Sequence, residues 1–320
     1  MRELRAAVVG AGRLGALHAH KYMQLAGVKL CYVADTDPRR AHEIAAETGA
    51  VALPNHWALT GKVELVSVAT PSVAHYAIAR DLMLAGIDVL LEKPMAATLT
   101  EARELAAIAY DYGRILQIGH LERFNPAIVR MRPLLNNPRF IECHRLAPFT
   151  ERGTDVDVIL DLMIHDLDVI LSVTSAPVSS LEAVGVAVLT DRIDVANARI
   201  RFAGRLIANL NTSRVASRKE RKIRFFQPDA YISLDYDARR IQLYRKEPPP
   251  AGAAYPVISA EQITIDEGDP LRDEIDAFVQ SVHTRRIPEV DPAAGLRVME
   301  LSERIVEAIR EASLDAAADG

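Results

Sequence analysis

Residues 1–120 alternate short apolar runs with longer segments in which apolar and polar positions follow a helical period. The apolar runs predict strands over Leu4–Val9, Val28–Ala34, Leu65–Ala69, Val89–Leu91 and Ile115–Ile118. The periodic segments predict helices over Arg13–Ala26, Arg39–Thr48, Val73–Ala85 and Thr100–Tyr112. Strands that are apolar at nearly every position are buried on both faces, which is typical of a parallel sheet covered by helices. The pattern predicts a doubly wound α/β domain.

The pattern changes after Asn125-Pro126, where strands with alternating apolar and polar positions become common between Val178 and Ile265. Such strands joined by short turns indicate an antiparallel or mixed sheet. Further helices are predicted over Val158–Val173, Leu271–Val282 and Pro292–Ser313, with a frayed tail after Leu314. We place a first domain at residues 1–122 and a second at residues 123–320, whose C-terminal helices could pack back on the first.

Composition supports two globular domains and argues against nucleic acid or a membrane as a partner. The chain has 320 residues, and domains average roughly 150. Its net charge of −5 lacks the basic surplus of a general nucleic-acid-binding protein. No apolar run reaches the roughly 18 residues of a membrane span, and the N-terminal stretch lacks a signal-peptide pattern. Because Cys31 and Cys143 alone cannot form a disulfide framework, we expect a cytoplasmic protein.

The string Gly10-Ala-Gly12-Arg-Leu-Gly15 follows the first predicted strand and opens the first predicted helix. In this setting the glycines allow a tight turn, close approach of a pyrophosphate, and close packing of helix on strand. Asp35 follows the second strand, where an acidic side chain accepts the ribose hydroxyls of a dinucleotide. Its charge favours NAD over NADP, although Arg39 and Arg40 nearby could serve a 2′-phosphate. The alternative is a plain glycine turn with a loop aspartate.

Glu92-Lys93-Pro94 comes directly after the apolar run Val89–Leu91. The carboxyl ends of parallel strands are where α/β sheets place their ligands. A lysine beside a cofactor can hydrogen-bond a substrate hydroxyl and lower its pKa, which assists oxidation. The alternative is a lysine in a solvated turn.

Asp161, His165 and Asp168 are spaced to share one face of a helix. Flanking carboxylates orient an imidazole and raise its basicity, so the arrangement predicts a general base. One alternative is a helix-capping or salt-bridged histidine. Another is a zinc site, since Asp and His at helical spacing can bind zinc; because no third soft ligand is apparent, we assign no metal.

Two polar stretches leave their roles open. The first, Gly119-His120-Leu-Glu122-Arg123-Phe124-Asn125-Pro126, lies at the junction of the two domains and predicts either a cleft lining or interdomain salt bridges. The second, Arg214–Arg224, holds six Lys or Arg and one Glu. It predicts a solvated sheet edge, with contact to an anionic substrate as the alternative.

Taken together, these residues resemble the Gfo/Idh/MocA family of nicotinamide-dependent sugar oxidoreductases. The resemblance covers nearly the whole chain. It rests on the strings GAGRLGALHA, ATPSVAHYAIARDLMLAGIDVLLEKP, RFNPA and LRDEIDAFVQSVHTRRIPEV and on the Asp161-x-x-x-His165 pair. It implies an N-terminal Rossmann domain and a C-terminal α/β domain with a large, open, mostly antiparallel mixed sheet, often used for homodimer or homotetramer contacts.

The resemblance also implies site residues. Lys93, Asp161 and His165 would be catalytic, with His165 as the general base. Cofactor contacts would come from Gly10, Gly12, Arg13, Leu14, Gly15, Asp35, Thr70, Pro71, His75, Glu92 and Lys93. Substrate contacts would come from Lys93, His120, Arg123, Asn125 and His165. Because the catalytic residues come from both domains, we expect the active site in the cleft between them.

Within the family, GHLERFNPA and DLMIHDLD are most similar to the branch that oxidises the 3-hydroxyl of UDP-N-acetylglucosamine in lipid A precursor synthesis. The resemblance therefore implies a nucleotide-sugar substrate, whose diphosphate would need cations such as Arg123, Arg145, Arg152 or Arg214. Bulky Leu162-Met163-Ile164 replaces the small residues that many relatives carry before the histidine, which disfavours simple polyols. The alternatives are an inositol or aldose dehydrogenase and a non-catalytic dinucleotide-binding regulator.

Overall fold

The chain folds into two units. The structure is a computed structural model that describes residues 2–150, 154, 156–249, 251 and 254–318. Unit 1 comprises Met1–Phe124 and Asp269–Met299, and unit 2 comprises Asn125–Gly268 and Glu300–Gly320. The domain boundary placed at residues 122 and 123 lies close to the first transition, but the segment Asp269–Met299 returns to unit 1.

A six-stranded parallel sheet forms the centre of unit 1 and confirms the predicted doubly wound architecture. Its strands are β1 (Leu4–Val9), β2 (Val28–Ala34), β3 (Val51–Leu53), β4 (Leu65–Val68), β5 (Asp88–Glu92) and β6 (Leu116–Gly119). They lie in the order β3-β2-β1-β4-β5-β6, with every neighbouring pair parallel. Every residue of β4 and β5 is buried, as their position inside the sheet requires.

The edge strand β3 is the strand of unit 1 that the apolar pattern did not predict. It has three residues, all exposed or half-buried. An apolar run of three residues, Val51-Ala52-Leu53, is too short to indicate a strand, so pairing with β2 defines it.

Four helices connect these strands: α1 (Arg13–Tyr22), α2 (Pro38–Thr48), α3 (His75–Leu84) and α4 (Leu99–Asp111). Local chemistry sets their ends. Asp37 caps α2 and Thr98 forms a capping box with Glu101 at the start of α4. Gly86 and Gly113, just beyond α3 and α4, have φ angles of +83° and +60°, a conformation that glycine adopts without strain.

An eight-stranded mixed sheet forms the centre of unit 2. Its strands are β7 (Phe140–Leu146), β8 (Val178–Val186), β9 (Val195–Phe202), β10 (Ile207–Ser213), β11 (Glu220–Phe226), β12 (Ala230–Asp235), β13 (Arg240–Glu247) and β14 (Val257–Thr264). The order is β14-β13-β12-β11-β7-β10-β9-β8, and among the described strands of this sheet only β7 and β10 pair in parallel. Side chains alternate between a buried face and a more exposed one, as in β9.

The remaining helices are α5 (Pro126–Met131), α6 (Ile164–Val173), α7 (Pro270–Thr284) and α8 (Pro292–Ala318). A π-helical segment, Ile159–Met163, leads directly into α6. The helix α8 runs past the predicted end at Ser313, and its last residues are mostly alanines, the best helix formers. No described helix combines the length and apolar character that a bilayer-spanning helix needs.

The helix α7 explains why the C-terminal segment belongs partly to unit 1. Its apolar side chains Leu271, Ile275, Phe278, Val279 and Val282 join the core formed by α1 and the parallel sheet. Helical periodicity shows that α7 has an apolar face. It does not show which sheet that face will cover, so the sequence analysis could only allow that the C-terminal helices pack back on the first domain.

Candidate active site

The loop between β1 and α1 contains the glycines expected for dinucleotide binding, and two of them are sterically required. Gly10 has a φ of +96°, and a Cβ there would lie 2.5 Å from the Ala69 carbonyl oxygen. A Cβ on Gly15 would lie 1.7 Å from the Gly10 carbonyl oxygen. Gly12 differs, because a Cβ there would meet nothing within 4 Å. It is the N-cap of α1 and gives the first turn no side-chain hydrogen bond, which leaves N–H groups of that turn for a ligand.

Asp35 lies at the carboxyl end of β2 and organises the glycine loop. Its two carboxylate oxygens accept the backbone N–H groups of Ala11 (2.6 Å) and Asp37 (2.8 Å). A carboxylate has about four acceptor positions, so two remain for other donors. The side chain is therefore held at the edge of the sheet with capacity left to bind ribose hydroxyls.

These residues fit a dinucleotide. The uncapped start of α1 offers N–H donors and the positive end of a helix dipole to phosphates. Thr70, just beyond β4, has a buried hydroxyl oxygen for which the described residues supply no hydrogen-bond partner. Pro71 beside it and Arg13 in the first turn of α1 are exposed, and Leu14 is half-buried. A dinucleotide at this edge would use the phosphate donors, Thr70 and Asp35.

Lys93 follows β5 at the same edge of the sheet and is half-buried. Its neighbour Glu92 is almost buried, with one carboxylate oxygen 3.0 Å from Nε2 of His18 and the other accepting the Lys93 backbone N–H at 3.3 Å. His18 was missed in the sequence analysis. It belongs to the buried face of α1 with Gly15, Ala19 and Tyr22, and that spacing is the signal that could have found it.

His75, the first residue of α3, is buried, and both of its ring nitrogens face backbone carbonyl oxygens. Nδ1 is 2.8 Å from the oxygen of Pro94, and Nε2 is 2.9 Å from that of Thr70. Burial lowers the pKa of the imidazole below 6.5, while the hydrogen bonds to the two carbonyls act in the opposite direction. A cofactor contact through either nitrogen would displace one of these carbonyl oxygens, and the predicted direct contact by His75 stays a prediction.

Asp161 and His165 lie on one short helical segment of unit 2. Asp161 stands inside the π-helical turn Ile159–Met163, and His165 is the second residue of α6. The sequence predicted one uninterrupted α-helix here. Turns of π-helix are rare in proteins, and those that occur often lie at functional sites. Both side chains are half-exposed, whereas Asp168 is completely buried. The predicted flanking of His165 by both carboxylates stays a prediction.

A buried ion pair anchors the start of α6. The Arg145 guanidinium on β7 donates from Nε and Nη2 to the two oxygens of Asp166, at 2.8 and 2.9 Å. Both side chains are 2% exposed, and the Tyr236 ring lies 5.2 Å from the guanidinium carbon. Because Asp166 directly follows His165, this pair fixes the turn that carries the imidazole. Arg145 is therefore no ligand for a substrate diphosphate, contrary to the sequence-based expectation.

Arg214 is also buried and serves the backbone. Its Nη2 donates to the Val156 carbonyl oxygen at 2.6 Å, just before the π-helical turn. In the same region Asp157 accepts the Ile193 N–H at 3.0 Å. Arg214, also a candidate for binding a substrate phosphate, thus supports the backbone, because its guanidinium donates to a carbonyl of the segment leading to Asp161. The candidate Arg152 lies outside the described residues.

The basic stretch Arg214–Arg224 was predicted as a sheet edge, and the structure corrects this. Its strand, β11, lies inside the sheet between β12 and β7. The Arg224 guanidinium pairs with Glu142 at 2.8 Å, and the Lys222 ammonium lies 3.7 Å from an oxygen of Asp235. Cross-strand acids therefore balance the bases, which a one-dimensional charge run cannot reveal.

The junction stretch is buried or half-buried throughout. His120 and Arg123 belong to unit 1 and are 2% and 9% exposed, and Glu122 is half-buried. Asn125 begins unit 2 and caps α5 by accepting the Ala127 N–H at 3.0 Å. The predicted substrate contacts by His120, Arg123 and Asn125 stay predictions, and Asn125 has a capping role in addition.

A glycine loop that opens a helix, an acidic side chain after β2 and a lysine after β5 define a dinucleotide-dependent oxidoreductase. Comparison with known proteins agrees. Residues 4–120 match the profile of the oxidoreductase family with an NAD-binding Rossmann fold, and residues 131–232 match the GFO/IDH/MocA C-terminal domain. The chain belongs to the Gfo/Idh/MocA family.

Individual relatives differ in how much of the chain they match. UDP-N-acetylglucosamine 3-dehydrogenase from Acidithiobacillus ferrooxidans is 37% identical, over 97% of this chain and 98% of its own length. A structure of that enzyme superposes with a TM-score of 0.90 over the same shares. Inositol 2-dehydrogenase from Rubrobacter xylanophilus is 30% identical, but over 50% of this chain and 49% of its own. Scyllo-inositol dehydrogenase from Lactobacillus casei shares the fold. It is 17% identical and superposes with a TM-score of 0.80 over 97% of this chain and 98% of its own.

Proposed function

We propose that this protein is an NAD-dependent dehydrogenase that oxidises the 3-hydroxyl of UDP-N-acetylglucosamine to a ketone. The observation that carries the proposal is the end-to-end similarity to an enzyme of that name, at 37% identity over 97% of the chain. Inositol 2-dehydrogenases match about half of the chain at lower identity. Lys93 and the Asp161–His165 pair are the acid–base groups that such an oxidation needs.

The residues divide the chemistry between them. NAD, when bound, supplies the hydride acceptor. The Lys93 ammonium donates a hydrogen bond to the substrate hydroxyl oxygen and stabilises the charge that develops as the proton leaves. The His165 imidazole accepts that proton, and Asp161, one helical turn away, orients the ring and stabilises its charged form.

Asp35 makes NAD the proposed cofactor in preference to NADP. A carboxylate at the ribose binds its hydroxyls and repels a 2′-phosphate. The two arginines that could counter this repulsion, Arg39 and Arg40, are 3.5 and 3.6 Å from the carboxylate of Asp37. Their charge is thus partly balanced by the N-cap residue of their own helix.

A homodimer or homotetramer through the sheet of unit 2 is the proposed assembly. Four aromatic rings, from Phe140, Phe226, Tyr231 and Tyr244, form a row across neighbouring strands, with ring centres 4.9–5.5 Å apart. They lie on the more exposed face of the sheet, and aromatic side chains are enriched at protein interfaces.

Both cysteines are free thiols, which supports a reducing, cytoplasmic setting.

The substrate can be tested by following NAD reduction with UDP-N-acetylglucosamine, free N-acetylglucosamine and myo-inositol. We expect turnover with the nucleotide sugar, and little with the two small molecules, because they lack the binding energy of the nucleotide. The nucleotide sugar should also raise the Tm in the presence of NAD. Efficient oxidation of inositol, with no binding of UDP-sugars, would contradict the substrate but not the family.

The catalytic roles can be tested with Lys93→Met and His165→Ala. Loss of one positioned acid–base group typically lowers the rate by about 10²–10⁴-fold. We expect losses of this size in kcat with little change in the Kd for NAD, measured by fluorescence titration. A His165→Ala variant that keeps most of its turnover would show that another base acts.

A further inference from the structure

Two buried histidines contact the residues on either side of Lys93. His18 on α1 lies 3.0 Å from the Glu92 carboxylate, and His75 on α3 lies 2.8 Å from the Pro94 carbonyl oxygen. Both imidazoles are at most 1% exposed. The residues immediately before and after Lys93 are thus each bound by a different helix.

His75 also reaches the cofactor edge of the sheet. Its second nitrogen lies 2.9 Å from the carbonyl oxygen of Thr70, which follows β4. A neutral imidazole carries one N–H, so it can donate to only one of the two carbonyls at a time. The ring is therefore a link between the end of β4 and the turn that follows β5.

We propose that His75 is a positioning residue for Lys93, acting by donation from Nδ1 to the Pro94 carbonyl oxygen. The inference rests on the proposed role of Lys93 in the oxidation. A lysine side chain has a flexible four-carbon stem, so the ammonium reaches the substrate oxygen reproducibly only when its backbone is held in place. The turn needs such a hold because proline has no backbone N–H to donate.

Two substitutions separate this role from a general contribution to folding. The amide nitrogen of asparagine is as many bonds from the backbone as Nδ1 of histidine, and that of glutamine as many as Nε2. His75→Asn therefore keeps an N–H donor facing the Pro94 carbonyl oxygen, and His75→Gln places its N–H donor at the Thr70 carbonyl oxygen instead. Each variant can donate to one of the two carbonyls, as the neutral imidazole does, so their Tm values should be similar.

The two variants should differ in kcat. A shift of about 1 Å in a reacting group can lower a rate by about a hundredfold. We expect His75→Gln to lose roughly 10- to 100-fold in kcat, and His75→Asn to recover most of it, with the same Kd for NAD in both. Equal losses in both variants, or a larger loss in His75→Asn, would overturn the proposal.

A matched control is His283 on α7, whose Nε2 lies 3.2 Å from the carbonyl oxygen of Gly27. Gly27 precedes β2, so this bond lies at the amino end of the parallel strands, opposite the cofactor edge. We expect His283→Ala to lower the Tm while leaving kcat unchanged. A parallel loss of kcat in this variant would attribute the effect of His75 to stability alone and overturn the proposal.

A substrate-independent readout separates this proposal from the proposed function. Acetic anhydride labelling followed by peptide mass spectrometry reports the reactivity of the Lys93 amine, with exposed Lys29 as the internal reference. We expect the labelling rate of Lys93 relative to Lys29 to change in His75→Gln and to stay as in the wild type in His75→Asn. If the wild type oxidises no UDP-sugar, the proposed function fails, but the labelling comparison still tests whether His75 positions Lys93. Identical Lys93 labelling in both variants would overturn the positioning role.

Discussion

Among single residues, Asp35 combines a structural task with a proposed selective one. Its carboxylate accepts the Ala11 N–H of the glycine loop and has acceptor positions left for a ribose. The substitution Asp35→Ser removes both functions. The substitution Asp35→Asn keeps an oxygen for the loop and removes only the charge.

We expect both Asp35 variants to bind NADP better relative to NAD, by about tenfold or more, since a charge-assisted hydrogen bond contributes about 1.5–3 kcal/mol. Asp35→Asn should lose less NAD affinity than Asp35→Ser because its loop stays anchored. Fluorescence titration with both nucleotides measures the ratio. Wild-type protein that binds NADP as tightly as NAD would contradict this role.

Asp194 illustrates how hydrogen bonding overrides burial. Burial alone would raise the pKa of this carboxyl, but N–H groups of Thr190, Leu189 and Val188 and the Thr190 hydroxyl outweigh it and lower the pKa to about 2. A folded-state pKa below the unfolded value stabilises the fold above about pH 4. That contribution is lost as the pH falls towards 2.

The prediction for Asp194 concerns the slope of stability against pH. Between pH 5 and pH 2.5 the free energy of unfolding of the wild type should fall more steeply than that of Asp194→Asn, which has no proton to bind. Urea titrations at several pH values measure both slopes. Equal slopes would show that Asp194 does not titrate differently in the folded protein.

Among elements, the helix that carries His165 depends on one buried ion pair. Removing one partner of a buried pair leaves an unpaired charge and costs about 3–5 kcal/mol. We expect Arg145→Met to lower the free energy of unfolding by that amount. The double variant Arg145→Met/Asp166→Leu should lose less, because no charge is left buried. Urea denaturation followed by circular dichroism measures each loss.

Arg224 supplies the matched control for Arg145. It pairs with Glu142 on the same sheet, but its side chain is 23% exposed. Exposed ion pairs contribute about 0–1 kcal/mol, so Arg224→Met should have a small effect. Comparable losses in Arg145→Met and Arg224→Met would contradict the anchoring role of the buried pair.

At the scale of the whole molecule, the aromatic row predicts how copies associate. A charge placed in it, as in Phe226→Glu, would have to be desolvated in an interface built on this face. We expect the variant to dissociate to a smaller species in size-exclusion chromatography with light scattering. Tyr110→Glu on α4 is the control, since it introduces the same charge at an aromatic residue of unit 1 that is 87% exposed and outside the aromatic row. A wild-type protein that elutes as a monomer would contradict the proposed assembly.

Most elements of this protein could be predicted because their signals are local. The structure reproduces both predicted ends of β1 and of β2, since each is a mostly apolar run followed by turn residues. The nucleotide loop was equally accessible, because the steric need for glycine at Gly10 and Gly15 arises within a few neighbouring residues and one adjacent strand. The sequence by itself therefore determined every strand of the parallel sheet except β3, the helices α1 to α4, the nucleotide loop and the family.

Only the tertiary structure decided which charged side chains are buried and what they bind. Arg145 and Arg214 looked like phosphate ligands and are internal braces, because their partners come from other elements. His18 meets Glu92, 74 residues away, and His75 meets Pro94 across the end of the sheet. Residues distant in sequence supply these partners, and a buried polar group persists only where such a partner reaches it. Local pattern determines which elements form, and their packing determines which polar side chains remain available for chemistry.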